Sequence, residues 1–379
     1  MADLTPLIAR IMSGAEIDVE REIGLLESGE LLRQAAEHDV IPLVAERLRH
    51  ASIPTGLSDA LKEQARAAAV VDLVREREIR RCLEACDRAG VHALLVKGSH
   101  LAYTHYARPD LRARVDSDLL VPAAAVSDMH RVMTDELGYT SSHRGAQDLT
   151  SPQRSYFRHT PQGTIAFDVH WEIASPRVFA TMPSHETLAA HAVPLPQFGP
   201  ASRVPCPSDA LLIACVHRVA HHLDAPDLKW LFDIHLISSR LTSDEWHRFA
   251  SDARAHRVAR VCRRGLEAAS HWFGTPLPEG VRSGEMLDAN DDEPSAVYLD
   301  GRPMYARVLA DAHMLPWGGR LRLLLEHLVP PAAYMRTVYA PSSRVPLPFL
   351  YVFRVLRGAG GWFRRQPPAH GHPADKRSV

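Results

Sequence analysis

Asp116 and Asp118 stand one residue apart in the run Arg114-Val115-Asp116-Ser117-Asp118-Leu119-Leu120-Val121. In a strand, residues two apart face the same side, so both carboxylates project together. Two carboxylates held that close repel unless a cation lies between them. Mg²⁺ suits such a place, because it takes one or two carboxylates and completes its shell with phosphate oxygens. Upstream lies Val96-Lys97-Gly98-Ser99. Its glycine lets the backbone approach a phosphate closely, and its serine hydroxyl and the N–H groups of a following helix can donate to phosphate oxygens. With a further acid on a neighbouring strand, these residues would form a two-metal site for in-line attack on phosphorus.

The elements that must position them can be read from hydrophobic periodicity. Residues 1–90 read as helical, with Leu57–Ala89 as one long amphipathic helix or two shorter ones, Ser58 as N-cap and Gly90 as the stop. Val91–Val96 is an apolar run that reads as a buried strand. Gly98-Ser99 opens a short helix reaching about Tyr106, and Arg114–Val121 is the second strand. Ala123–Leu137 is a helix ended by Gly138. Ser155–His159 and Thr164–Trp171 read as an antiparallel pair around Thr160-Pro161-Gln162-Gly163. From Ser208 the pattern is helical again, over Ser208–Leu223, Asp227–Ser239, Ser243–His256 and Arg257–Phe273. Thr275–Pro303 reads as a loop or linker, Tyr305–Val329 as helix, and the residues from about Gln366 as a Pro/His/Lys-rich disordered end.

The expectation is therefore an α+β fold: a small mixed β-sheet core over residues 91–205, flanked by an N-terminal helical region (1–90) and a C-terminal helical region (206–340), with a basic tail over 341–379. At 379 residues and 46% hydrophobic content the chain can bury a large core. A formal net charge of −1 argues against a dedicated nucleic-acid binder. Five cysteines without a CxxC pair suit reduced thiols. The N-terminus lacks a signal-peptide pattern and no stretch reaches membrane-spanning length, so a cytoplasmic protein is expected.

The order strand, Gly-Ser, helix, Asp-x-Asp strand and later acidic strand resembles the nucleotidyltransferase superfamily (DNA polymerase beta-like). More closely, the chain resembles a bacterial family of largely uncharacterised nucleotidyltransferases, in Leu94–Val121 (LLVKGSHLAYTHYARPDLRARVDSDLLV), Asp168–Ile173 (DVHWEI), Leu211–His222 and Leu228–Ile237, with Ala35–Leu48 (AAEHDVIPLVAERL) ahead of them. The likeness covers roughly residues 30–270. It implies phosphate contacts from Gly98 and Ser99 and metal coordination by Asp116 and Asp118. The third acid would come from Thr164–Trp171, with Asp168 the first choice and His170 and Glu172 sharing its strand parity. Ser117 stands where the family usually has an apolar residue. The implied reaction is transfer of an NMP from an NTP, ATP among the candidates, held by two Mg²⁺ ions, to a small-molecule, peptide or protein acceptor, with release of pyrophosphate.

Lys97 and Arg112, the latter four residues before Asp116, are candidate contacts to the triphosphate or acceptor, set against a reading as ordinary surface charges. Arg114 shares the parity of Asp116 and could also face the site. His217, His221 and His222 have zinc-compatible spacing, but a packed helix face is preferred, since the metalloprotease Glu is missing. Leu347–Leu356 (LPFLYVFRVL) with RGAGGWFRR after it is apolar with basic flanks. Packing on its own domain is preferred there over an anionic membrane or a partner. The alternatives to an enzyme of this class are a non-catalytic nucleotide-binding or adaptor protein and an RNA-modifying toxin-type transferase. A membrane or nucleic-acid partner is not expected.

Overall fold

The computed structural model describes residues 3–24, 28–141, 149, 151–288, 292–299, 301–339 and 345–363. The expected disordered end from Gln366 lies outside the described residues. The chain opens with α1 (Thr5–Ser13), α2 (Val19–Glu22), α3 (Ser28–Glu37), α4 (Ile41–Leu48) and α5 (Thr55–Arg88). Leu57–Ala89 is thus one helix. Its N-cap is Pro54 rather than Ser58, because the helix starts a turn earlier, and Gly90 ends it at φ +69°, a left-handed position that glycine takes without a Cβ clash.

The central unit follows with β1 (Leu94–Val96), α6 (Lys97–Thr104), β2 (Ser117–Leu120), α7 (Val126–Arg131), β3 (Thr140–Ser141), β4 (Gln153–Thr160), β5 (Gly163–His170), α8 (His185–His191), β6 (Val193–Pro194) and β7 (Arg203–Val204). The strands form one mixed sheet in the order β3-β4-β5-β2-β1-β7-β6. The expected 155–171 pair is the β4–β5 hairpin, running from Gln153↔His170 to Thr160↔Gly163. The expected 123–137 helix is a 3₁₀ turn, α7 and a π-helical turn over Val132–Glu136 in succession. β2 begins at Ser117 rather than Arg114, so Asp116 sits on the residue entering the strand.

The C-terminal helices are α9 (Pro207–His222), α10 (Leu228–Ser238), α11 (Ser243–Ala255), α12 (Ala259–Phe273), α13 (Glu279–Arg282), α14 (Met304–His313), α15 (Trp317–Leu328), α16 (Ala332–Tyr339) and α17 (Leu347–Phe363). The expected 305–329 helix is divided at Pro316, which cannot continue a helix but starts one well. The expected 275–303 linker contains α13 and a 3₁₀ turn over Pro294–Tyr298.

Strand alternation splits the sheet between two cores. Leu95, Leu119, Phe167 and Val169 face α5 and α7, whereas Leu94, Val96 and Leu120 face α9 and its neighbours. Phe167 is fully buried, worth about 2–3 kcal/mol by transfer of its ring from water. The α1–α5 helices share a third core with Leu228, Leu231 and Phe232 of α10.

Candidate nucleotidyl-transfer site

The α9-facing side of the sheet carries the polar cluster. β2 and β5 run parallel with Asp118 directly beside Asp168, so both side chains project from the same face. His170, two residues on, shares that face. Ligand atoms of Asp118, Asp168 and His170 lie within 4.8 Å of one another. Glu172, the other residue considered for the third place, lies beyond β5 and pairs instead with Arg177 at 2.7 Å. Gln153, opposite His170 in the hairpin, donates to Asp168 Oδ2 at 3.4 Å.

Lys97 is the first residue of α6 and has φ +52°, a left-handed conformation that an ordinary side chain adopts at a cost of about 1–2 kcal/mol. This turn sends its side chain back into the site. Nζ donates to Asp118 Oδ1 at 2.9 Å and lies 2.9 Å from His170 Nε2, which is itself 2.9 Å from Asp118 Oδ1. Burial works to raise the Asp118 pKa, but Lys97 and His170 outweigh it and hold the carboxyl well below its usual range. At Asp116 the pull of Lys97 and Lys229 is outweighed. Burial first, then the charges of Asp118 and Asp168, push its carboxyl up to about 7.

Gly98 is closely packed. A Cβ there would meet the Arg112 guanidinium at 3.2 Å. Arg112 is buried and bidentate to Asp233, with Nε 2.9 Å from Oδ1 and Nη2 2.6 Å from Oδ2, and Nη1 donates to the Ala113 carbonyl at 2.6 Å. Tyr106 donates its hydroxyl proton to the same carboxylate at 2.7 Å. Arg112 therefore lies beneath the turn, with these donors turned to Asp233 and Ala113. Ser99 Oγ donates to the Asp116 carbonyl at 3.4 Å, joining the two motifs. Ser117 is fully buried on the α5-facing side, away from the carboxylates, and its Oγ has no hydrogen-bond partner among the described residues.

Arg114 does not face the carboxylates. It is buried against Asp72 of α5, donates to Tyr103 Oη at 3.0 Å and to the Pro109 carbonyl at 2.9 Å. Its parity with Asp116 is lost because the strand starts after both. On α9, His217 Nε2 is 3.3 Å from His222 Nε2, and His222 stacks on Trp230 at 3.6 Å between ring centroids. Burial, reinforced by Lys97, keeps His217 and His221 well below the usual histidine range, hence neutral. Lys229 bonds Asp39 Oδ2 at 2.5 Å, tying α10 to the α3–α4 corner.

Gln153 was legible in principle: a two-residue loop at Pro161-Gln162 sets it opposite His170. The Lys97–Asp118 and Arg112–Asp233 pairs had no local signal, since each spans elements brought together only by folding.

A mixed sheet with a Gly-Ser turn at a helix start and aspartates side by side on adjacent strands is the arrangement that the resemblance to nucleotidyltransferases implies. The chain belongs to the family described as uncharacterised nucleotidyltransferase, which it matches over residues 26–274. No curated protein and no solved structure matches it.

Proposed function

We propose that this protein transfers an NMP from an Mg²⁺-bound NTP to a hydroxyl, phosphate or amine of a small molecule, peptide or protein. The observation that carries this reading is the register of Asp118 beside Asp168 on parallel strands, in front of the Gly98-Ser99 turn. Burial, then the charges of Asp118 and Asp168, raise Asp116 to about 7, and carboxylates so placed fit a divalent cation. Asp116, Asp118 and Asp168 would hold it, with His170 as an adjoining ligand. Bound Mg²⁺ supplies charge neutralisation at the phosphates and a lowered pKa for the attacking group.

Gly98, Ser99 and the α6 N–H groups receive the triphosphate oxygens. Lys97 contributes a positive charge at the same turn. Arg112 acts from below as a positioning residue, holding Gly98 at its close approach. The acceptor atom attacks the α-phosphorus and forms a new bond there, releasing its proton to solvent. The bond from the α-phosphorus to the bridging oxygen breaks, and pyrophosphate leaves with the electron pair.

Isothermal titration of ATP, GTP, CTP and UTP with Mg²⁺ tests this on wild type and on Asp116→Asn/Asp118→Asn. Metal-dependent binding lost in the variant is expected. No nucleotide binding by either folded protein overturns it. A nucleotide-binding protein without transfer chemistry is the second reading, favoured by Lys97 already neutralising Asp118. It predicts the same binding with no pyrophosphate released across an acceptor screen.

A further inference from the structure

The residues after the family-matched span differ in character from the rest. From Met314 to Arg365 the sequence has eight arginines, no lysine and a single acidic residue, Glu326, whereas the whole chain balances 44 basic residues against 45 acidic ones. This segment includes α15 and α17, and both leave an apolar stripe uncovered.

On α15 the exposed residues are Trp317, Leu321, Leu324, Leu325 and Leu328, while Leu323 is buried. That spacing is one face of a helix, and Trp317 at 82% exposure is almost wholly in water. On α17 the exposed apolar set is Phe349, Val352, Phe353, Val355 and Leu356, a broad face taking up somewhat under half of the helix circumference, while Leu350 is buried and Tyr351 donates to the Pro330 carbonyl at 2.6 Å. The helices are thus anchored by one side and present the other. At 3.6 residues per turn, Arg320 and Arg322 fall on either side of the α15 stripe, Arg320 lying over the Trp317 ring and donating to the Leu315 carbonyl at 2.9 Å and Arg322 pairing with Glu326 at 3.0 Å, and Arg357 borders the stripe of α17. Arginines beside an apolar stripe can reach toward headgroups while their stems lie on the hydrocarbon.

No described helix is long and apolar enough to cross a membrane. An exposed apolar stripe with basic borders and almost no acid instead matches a helix lying in the interface of an anionic bilayer. A second copy of the chain would cover the stripes but would bring two arginine-rich faces together. We propose that α15 and α17 dock this protein peripherally on an anionic lipid surface, with the stripes at the acyl boundary and the flanking arginines among the headgroups. This revises the expectation of no membrane partner and stands independently of the transfer reaction.

The test is co-sedimentation of the full chain with vesicles of phosphatidylcholine alone or with about 30% phosphatidylglycerol. The expected result is binding to the anionic vesicles only, weakened by high salt. Leu321→Asp/Phe353→Asp should lower that binding about tenfold or more, with an unchanged far-ultraviolet circular dichroism spectrum and thermal midpoint as the control for folding. The emission difference between wild type and Trp317→Phe should move to shorter wavelength on adding anionic vesicles. Equal sedimentation with both vesicles, or none, overturns the proposal. So does a dimer in solution that Leu321→Asp makes monomeric without any vesicle binding, or an unshifted Trp317 emission.

Discussion

The Lys97 ammonium lies 2.9 Å from Asp118 Oδ1, so the Asp-x-Asp motif is neutralised from within by the residue that precedes the Gly-Ser turn. Both partners are nearly inaccessible, and an ion pair removed from water is costly to break by deleting one member. In Lys97→Met the metal-free protein should lose up to about 3 kcal/mol of stability, since Asp118 is left buried with His170 as its remaining partner. Mn²⁺ should then bind more tightly than to wild type, because no internal cation competes for the carboxylate. Chemical denaturation with and without Mg²⁺ checks the first effect, and Mn²⁺ titration followed by electron paramagnetic resonance checks the second.

Asp116 gives the site a pH dependence. Its folded pKa of about 7 lies above the ordinary value of 3.8, so between these values the unfolded chain binds fewer protons than the folded one. Stability of the metal-free protein contributed at this residue therefore falls as pH rises from about 4 to about 7 and is flat above. Asp116→Asn should be more stable than wild type at pH 8 and should lose that advantage by pH 4. Urea unfolding midpoints across this range, without metal, give the answer.

The Asp118 carboxyl runs the other way. Held well below its usual range by Lys97 and His170, it contributes stability that is present above its unfolded value and lost as pH falls toward the folded one. Asp118→Asn should accordingly flatten the acid limb of the wild-type stability profile.

Gly98 tolerates no Cβ without moving Arg112. Gly98→Ala should cost about 1–3 kcal/mol by overpacking and should weaken NTP binding as the turn shifts. Asp233→Asn, which touches only the support, should weaken NTP binding with the turn sequence intact. Thermal melts and NTP titrations on both variants separate packing from binding.

Asp168 on β5 and Glu172 just beyond it should divide cleanly. Asp168→Asn should abolish cooperative Mn²⁺ and NTP binding. Glu172→Gln, breaking a half-exposed pair with Arg177, should change stability by less than about 1 kcal/mol and leave binding untouched. Equal losses in both variants would count against the site drawn from Asp118 and Asp168.

What the sequence by itself determined is local. Alternating apolar residues set β5 and the hairpin register. Gly90 fixed where α5 ends, and the Gly-Ser and Asp-x-Asp pairs carried the class of chemistry, because these depend on neighbours within a few residues. Only the tertiary structure decided which of Asp168, His170 and Glu172 share a face with Asp118, since β5 ends at His170 and Glu172 turns away to Arg177. It likewise sent Arg112 to Asp233 and Arg114 to Asp72. The physical reason is that a buried charge takes whatever opposite charge the packing of distant helices brings to it, and that choice leaves no period or spacing in the chain.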